Sequence, residues 1–141
     1  RGFFIGVAAM KFTLVIHSAP YQSASADTAL RFARALLSAG HEIYRVFFYR
    51  EGVHNASSLA APPRDEQSLP GAWQQLAQEH RLDMVVCIAA AVRRGVLDAN
   101  EARRYEKPAA NLAPGFELSG LGQLSEALIL SDRVITFGGQ G

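Results

Sequence analysis

Short runs of β-branched and aromatic residues alternate along this chain with stretches whose apolar residues recur at helical spacing, and that alternation leaves few folds open. Residues 12–16 (Phe-Thr-Leu-Val-Ile) form the first run, followed by the turn-prone His-Ser-Ala-Pro-Tyr-Gln-Ser of residues 17–23. From Ser25 the pattern turns helical: Ala29, Leu30, Ala33, Leu36 and Leu37 share one face, Arg31 and Arg34 lie off it, and Gly40 supplies the stop. Residues 43–49 (Ile-Tyr-Arg-Val-Phe-Phe-Tyr) suit a second strand. Residues 50–70, with Gly52, Asn55 and the pair Pro62 and Pro63, show no sustained period and read as a long loop of the kind that serves a site or an interface. A helix entered through Pro70 follows, marked by Trp73, Leu76 and Ala77.

Residues 83–89 form a third strand, apolar almost throughout, as expected when both faces of a parallel sheet are covered. Beyond it the sequence predicts a short capped helix over 98–105, a brief strand over 116–118, a helix over 119–131 and a closing strand over 134–137. Strands alternating with helices imply an α/β fold: a three-layer α/β/α sandwich, Rossmann-like, with a mainly parallel sheet of about five strands and right-handed crossovers. At 141 residues the chain suits one domain, expected over residues 10–138. Arg1 to Ala9 reads as an upstream remnant, with Met10 as the natural start.

Composition argues against several function classes. Fourteen Lys and Arg against thirteen Asp and Glu leave a net charge of +1, without the basic excess of a domain that holds nucleic acid by itself. The nine apolar residues from Met84 to Val92 are about half of the ~20 that a membrane-spanning helix needs, so no membrane association is expected. One cysteine forms no internal disulfide, and no Cys/His cluster has zinc-site spacing. A reducing, cytoplasmic setting fits.

That one cysteine, Cys87, falls near the carboxyl end of the third strand, where an open parallel sheet gathers its reactive groups. The following Ala-Ala-Ala-Val-Arg-Arg turns into a helix whose amino end, with Arg93 and Arg94 close by, favours the thiolate, the nucleophilic form. A buried and inert thiol is the alternative reading. If Cys87 is reactive, its solitude selects the chemistry: without a resolving thiol or a Cys-x-x-Cys motif, it suits carriage of a single sulfur as a persulfide, with no metal or organic cofactor.

Other residues carry weaker signals. Asp65, Glu66, Glu79, Asp98, Glu101 and Glu106 are candidate acid–base groups that more often are solvated surface charges. His17 and His54 follow strands and so share the expected rim with Cys87; His41 and His80 have no ligand spacing. Gly120-Leu-Gly122 lacks the Lys-Ser/Thr of a phosphate loop and the third glycine of a dinucleotide fingerprint, and reads as a tight turn packed on the sheet.

Three blocks in order, residues 47–56 (Phe-Phe-Tyr-Arg-Glu-Gly-Val-His-Asn-Ala), 86–96 (Val-Cys-Ile-Ala-Ala-Ala-Val-Arg-Arg-Gly-Val) and 118–127 (Leu-Ser-Gly-Leu-Gly-Gln-Leu-Ser-Glu-Ala), resemble the DsrE/TusD family of sulfurtransferase subunits. The resemblance runs from Met10 to about Phe137 and places the family's active cysteine on Cys87. It implies a DsrE-like fold and a heterohexamer with sibling subunits TusB and TusC, two copies of each. It also implies a TusA-like sulfur donor, a TusE-like acceptor, and a relay that ends in 2-thiolation of the tRNA wobble uridine. The wording around residues 50–56 and 72–76 is nearer TusD than the DsrE proteins of dissimilatory sulfur oxidation. A flavodoxin-like nucleotide or flavin binder and a catalytically silent assembly subunit are the competing classes.

Overall fold

The computed structural model describes residues 8–65 and 68–138. Five strands, β1 (Lys11–Ile16), β2 (Glu42–Phe48), β3 (Met84–Cys87), β4 (Phe116–Ser119) and β5 (Arg133–Phe137), form one sheet in the order β4-β3-β2-β1-β5. Every pairing is parallel. The chain steps outward from β1 to β4, then returns across the sheet to lay β5 on the other side of β1. Between the strands lie α1 (Ser25–Ser38), α2 (Leu69–His80), α3 (Ile88–Arg93), α4 (Ala99–Arg104) and α5 (Gly122–Leu130).

Side-chain alternation along the strands assigns the layers. Phe12 meets Phe32 of α1, and Phe48 stacks edge-on against Trp73 of α2 with ring centroids 5.6 Å apart. Their strand neighbours point the other way: Thr13 shares a 2.6 Å hydrogen bond with Ser131 at the end of α5, and Arg45 reaches α5 itself. Helices α1 and α2 therefore cover one face and α5 the other. The aromatic core continues from Phe48 to Phe116 of β4, with centroids 5.4 Å apart, so β2 and the β4 edge share one packed interior.

The helix ends follow the sequence signals closely. Gly40, at φ 89°, ends the α1 region in the left-handed conformation that glycine adopts without penalty. Ser68 caps α2, accepting from Gly71 N at 3.3 Å, and Pro70 occupies the first turn as expected. Asp98 caps α4 through a 2.8 Å bond from Glu101 N.

The largest departures from the sequence reading are three. The third strand stops at Cys87 rather than residue 89, because the alanine-rich segment beyond it goes directly into α3. The final helix begins at Gly122, since Ser119 still pairs with Cys87 in the sheet. Within the loop expected over 50–70, residues Arg50–Ala56 form a 3-10 helical segment. Its buried positions, Gly52, Val53, Asn55 and Ala56, repeat every three residues, the period at which such a helix aligns its side chains. No helix among the described residues is long and apolar enough to cross a membrane.

Candidate functional site

Cys87 is both the last residue of β3 and the residue that precedes the first turn of α3. Its backbone is extended (φ −61°, ψ 118°), and its side chain caps no amide of the helix. The thiol is reduced and buried, with 2% of the residue exposed. The sequence expectation that it lies at the carboxyl rim of the sheet is met. It is also more enclosed than a strand-end residue need be.

The cover over this end of the sheet is the 3-10 segment Arg50–Ala56, which packs against α3 and the end of β3. Gly52 lets it approach: a Cβ there would lie 1.9 Å from the Ile16 carbonyl oxygen. Asn55, fully buried, donates from Nδ2 to Ser18 O and Gly52 O, both at 2.9 Å, tying the segment to the loop after β1. On the outside, Arg94 Nε donates to Glu51 Oε2 at 2.9 Å and Arg94 Nη1 to Ala90 O at 3.2 Å. Arg94 thus joins the end of α3 to the 3-10 segment, with its charge matched by Glu51. Arg93, the other arginine expected near the thiol, lines an open groove along α3.

The histidines separate into two ends of the molecule. His17 and His54 lie at the carboxyl rim as expected: His17 follows β1 and meets the Tyr49 ring edge-on at 5.7 Å, and His54 Nε2 stands 3.5 Å from Glu51 Oε1. His41 precedes β2 at the opposite end, where its Nδ1 accepts from Met10 N at 3.0 Å, and His80 ends α2. Burial first, and the charge of Arg50 second, hold the His17 imidazole below its ordinary value of about 6.5. The folded chain therefore binds fewer protons at His17 than the unfolded chain does. Its contribution to stability is present above about 6.5 and is lost as pH falls through the lowered value. His17→Gln is expected to flatten the acid-side fall of the urea midpoint in this window; an unchanged slope would contradict the assignment.

Most of the acidic candidates serve structure or solvent. Asp98 is the α4 cap, Glu79 and Glu106 are exposed, and Asp65 lies on an exposed turn. Glu66 lies outside the described residues. Glu101 is the exception: it is largely buried, 3.8 Å from Arg104, and lines the groove along α3. The Gly120 and Gly122 positions face open space, so they are not the sheet-packed turn expected from the sequence. Among the described residues no cluster of His, Cys, Asp and Glu could hold a metal ion.

A nucleotide binder of this architecture uses the crevice where the strand order reverses, here between β1 and β5. The chain itself closes that crevice. His17 N donates to Phe137 O at 2.9 Å, and a Cβ at Gly138 would lie 1.8 Å from Ser18 Oγ.

One group was invisible in the sequence. Arg45, in the middle of β2 and 7% exposed, donates to Asp83 Oδ2 at 2.7 Å, to Glu126 Oε1 at 2.8 Å and to Gln123 O at 2.8 Å. Burial opposes its charge, but the bonds to Glu126 and Asp83 outweigh it and raise the guanidinium further. The bond from Arg45 in turn holds the Glu126 carboxyl below its ordinary range. A strand-like run gives no warning of an arginine that clamps α5 to the sheet.

The DsrE/DsrF-like family profile matches residues 10–137. The sulfurtransferase TusD homolog of Pseudomonas aeruginosa is 54% identical over 92% of this chain and 98% of its own length. Sulfurtransferase TusD of Photorhabdus laumondii is 49% identical over 93% of this chain and its full length, and DsrE of Allochromatium vinosum 52% identical over 92% and 99%. Among solved structures, the ychN protein of E. coli superposes with a TM-score of 0.73 at 22% identity, covering 91% of this chain and 99% of its own, which supports the fold. With the profile spanning nearly every described residue and relatives at half identity carrying the sulfurtransferase name, the chain belongs to the DsrE/DsrF-like family, in its sulfurtransferase branch.

Proposed function

We propose that residues 10–138 act as a persulfide-carrying sulfurtransferase subunit, with Cys87 as the catalytic residue. The observation that carries this reading is the position of the chain's one cysteine: the carboxyl end of an inner strand, against the start of α3, with its side chain engaged in no helix cap. The Cys87 thiolate attacks the outer sulfur of a donor persulfide, forming a Cys87 S–S bond while the donor S–S bond breaks and the donor leaves as a thiolate. An acceptor thiolate then attacks the outer sulfur on Cys87, taking it as a persulfide and returning Cys87 as a thiolate. No net oxidation or reduction occurs in either step, and the proton on the outer sulfur travels with it.

Incubating the native chain with cysteine persulfide, followed by intact mass and peptide mapping, tests this reading. The expected result is a gain of one sulfur atom on the Cys87 peptide, reversed by an excess of thiol. Prior alkylation of Cys87 should abolish the gain. Absence of the added sulfur on the native chain would sink the proposal.

The relay placement is a TusA-like donor and a TusE-like acceptor, with 2-thiouridine formation at the tRNA wobble position as the end use, in the cytoplasm. Dissimilatory sulfur oxidation is the second reading, favoured by the 52% identity to DsrE of Allochromatium vinosum. Restoration of tRNA 2-thiouridine in a bacterium lacking its TusD separates the two.

Association with TusB-like and TusC-like siblings, two copies of each subunit, is supported by the outer face of α5. Leu121, Leu128 and Leu130 are each about half exposed, and Ile129 is 80% exposed. A helix apolar on its outer as well as its inner side belongs under another surface. Ile129→Glu is expected to shift the chain, co-expressed with its siblings, from the hexamer to smaller species in light scattering. Persistence of the full hexamer would place the interface elsewhere.

A further inference from the structure

A groove of about 480 Å³ runs between α3 and the α4 region, within the size range of ligand-binding clefts. Its first wall starts at the residue after Cys87: Ile88, Ala89 and Val92 give it an apolar side along the single short length of α3, roughly 9 Å from end to end. The opposite wall is Glu101, Arg104 and Tyr105, with Arg93 at the far end of α3.

The charges of this groove are unequal. Glu101 is largely buried, whereas the Arg104 side chain is 68% exposed, so the carboxylate sits low and the guanidinium reaches outward. Arg93 is exposed and has no ion-pair partner among the described residues, unlike Arg94, which Glu51 neutralises. Tyr105 stands at the edge, 49% exposed, with Arg104 5.8 Å from its ring centroid. The result is an apolar floor, a cationic rim and an accessible aromatic ring, the composition of a surface that anchors a partner's side chains.

Resting on the persulfide reading of Cys87, we propose that this groove seats the cysteine-bearing segment of the protein that exchanges sulfur with Cys87, and that this segment is acidic and apolar. The argument is complementarity: the wall that begins at Ile88 offers no polar side chain, and the rim offers two outward guanidiniums against one recessed carboxylate. An acidic segment is drawn to the rim, and its apolar residues fill the wall while its cysteine lies toward the α3 start. A basic segment meets Arg93 and Arg104 as like charges.

Two synthetic peptides test this, identical except that Leu and Glu flank the cysteine in one and Leu and Lys in the other. Binding is measured by fluorescence anisotropy with serine replacing the peptide cysteine, so that the result does not depend on chemistry at Cys87. The acidic peptide is expected to bind about ten-fold more tightly than the basic one at low salt, with the difference shrinking as salt is raised. Arg93→Glu combined with Arg104→Glu should abolish or invert that preference, and Tyr105→Ala should weaken binding of the acidic peptide. Circular dichroism of these variants should match that of the parent. Equal binding of both peptides, or a preference that survives the double charge reversal, overturns the proposal. So does failure of the parent chain to bind either peptide. Failure of Cys87 to take up sulfur at all strikes the persulfide reading and leaves the binding result standing.

Discussion

Cys87→Ala and Cys87→Ser are both expected to take up no sulfur from a persulfide donor, while circular dichroism and the solution mass of the alanine variant stay those of the parent. The loss is complete because the chain holds no second thiol to substitute for the first. The two variants control for each other. Serine places a hydroxyl where the thiol is buried, and a buried hydroxyl without a partner costs about 1–3 kcal/mol. Alanine removes the polar atom and leaves only a small void, so a fold defect confined to the serine variant reports burial and not chemistry. Sulfur uptake by the alanine variant equal to that of the parent would remove Cys87 from the mechanism.

Gly52→Ala is expected to be the most damaging single substitution of the site's cover. The new methyl group would fall 1.9 Å from the Ile16 carbonyl oxygen and 2.7 Å from its carbon. These are main-chain atoms of a fully buried residue, and that oxygen already accepts a 2.9 Å bond from Tyr49 N. Neither side yields cheaply, so the cost belongs at the upper end of overpacking penalties, about 3 kcal/mol or more. For a chain of this size that lowers the melting temperature by roughly 10 °C. Gly120→Ala, with open space around its Cβ, is the control and should stay within about 0.5 kcal/mol of the parent. Because Gly52 seats the segment that packs on β3 and α3, the Gly52 variant should also alkylate faster at Cys87 below its melting temperature. A melting temperature equal to the parent's would show that the contact is not maintained in solution.

These two residues also mark what the sequence can and cannot reveal. The strands were legible because buried parallel strands need uninterrupted apolar runs, such as Val46 to Phe48, and the helices because one covered face imposes its spacing on Ala29, Leu30, Ala33 and Leu36. Cys87 was legible as a strand-end residue for the same reason. Its degree of enclosure was not, since that depends on the 3-10 segment and hence on where Gly52 and Asn55 meet residues more than thirty positions earlier. A three-residue burial period in residues 52–56 was the one local sign, and it spans too few turns to stand out from a loop. Arg45 was hidden for another reason: its partners Asp83 and Glu126 come from α5 and the approach to β3, and nothing local announces that a charge in a strand is paired across the fold. Likewise, the groove of Arg93 and Arg104 needs two helices brought side by side.

The placement of β5 beside β1 bears on how the chain is made. Leu14 pairs with Val46 on one side and with Ile135 on the other, yet the second partner is synthesised long after the first. As the chain leaves the ribosome, β1 through β4 can assemble in order, each new strand adding to a growing edge. Throughout that time the far side of β1 presents unpaired amide and carbonyl groups, a template for any passing strand. Only the arrival of residues 133–137 closes it. The last strand of the sheet to be synthesised therefore shields the first, and Cys87 lies in the part of the sheet that is already paired by then.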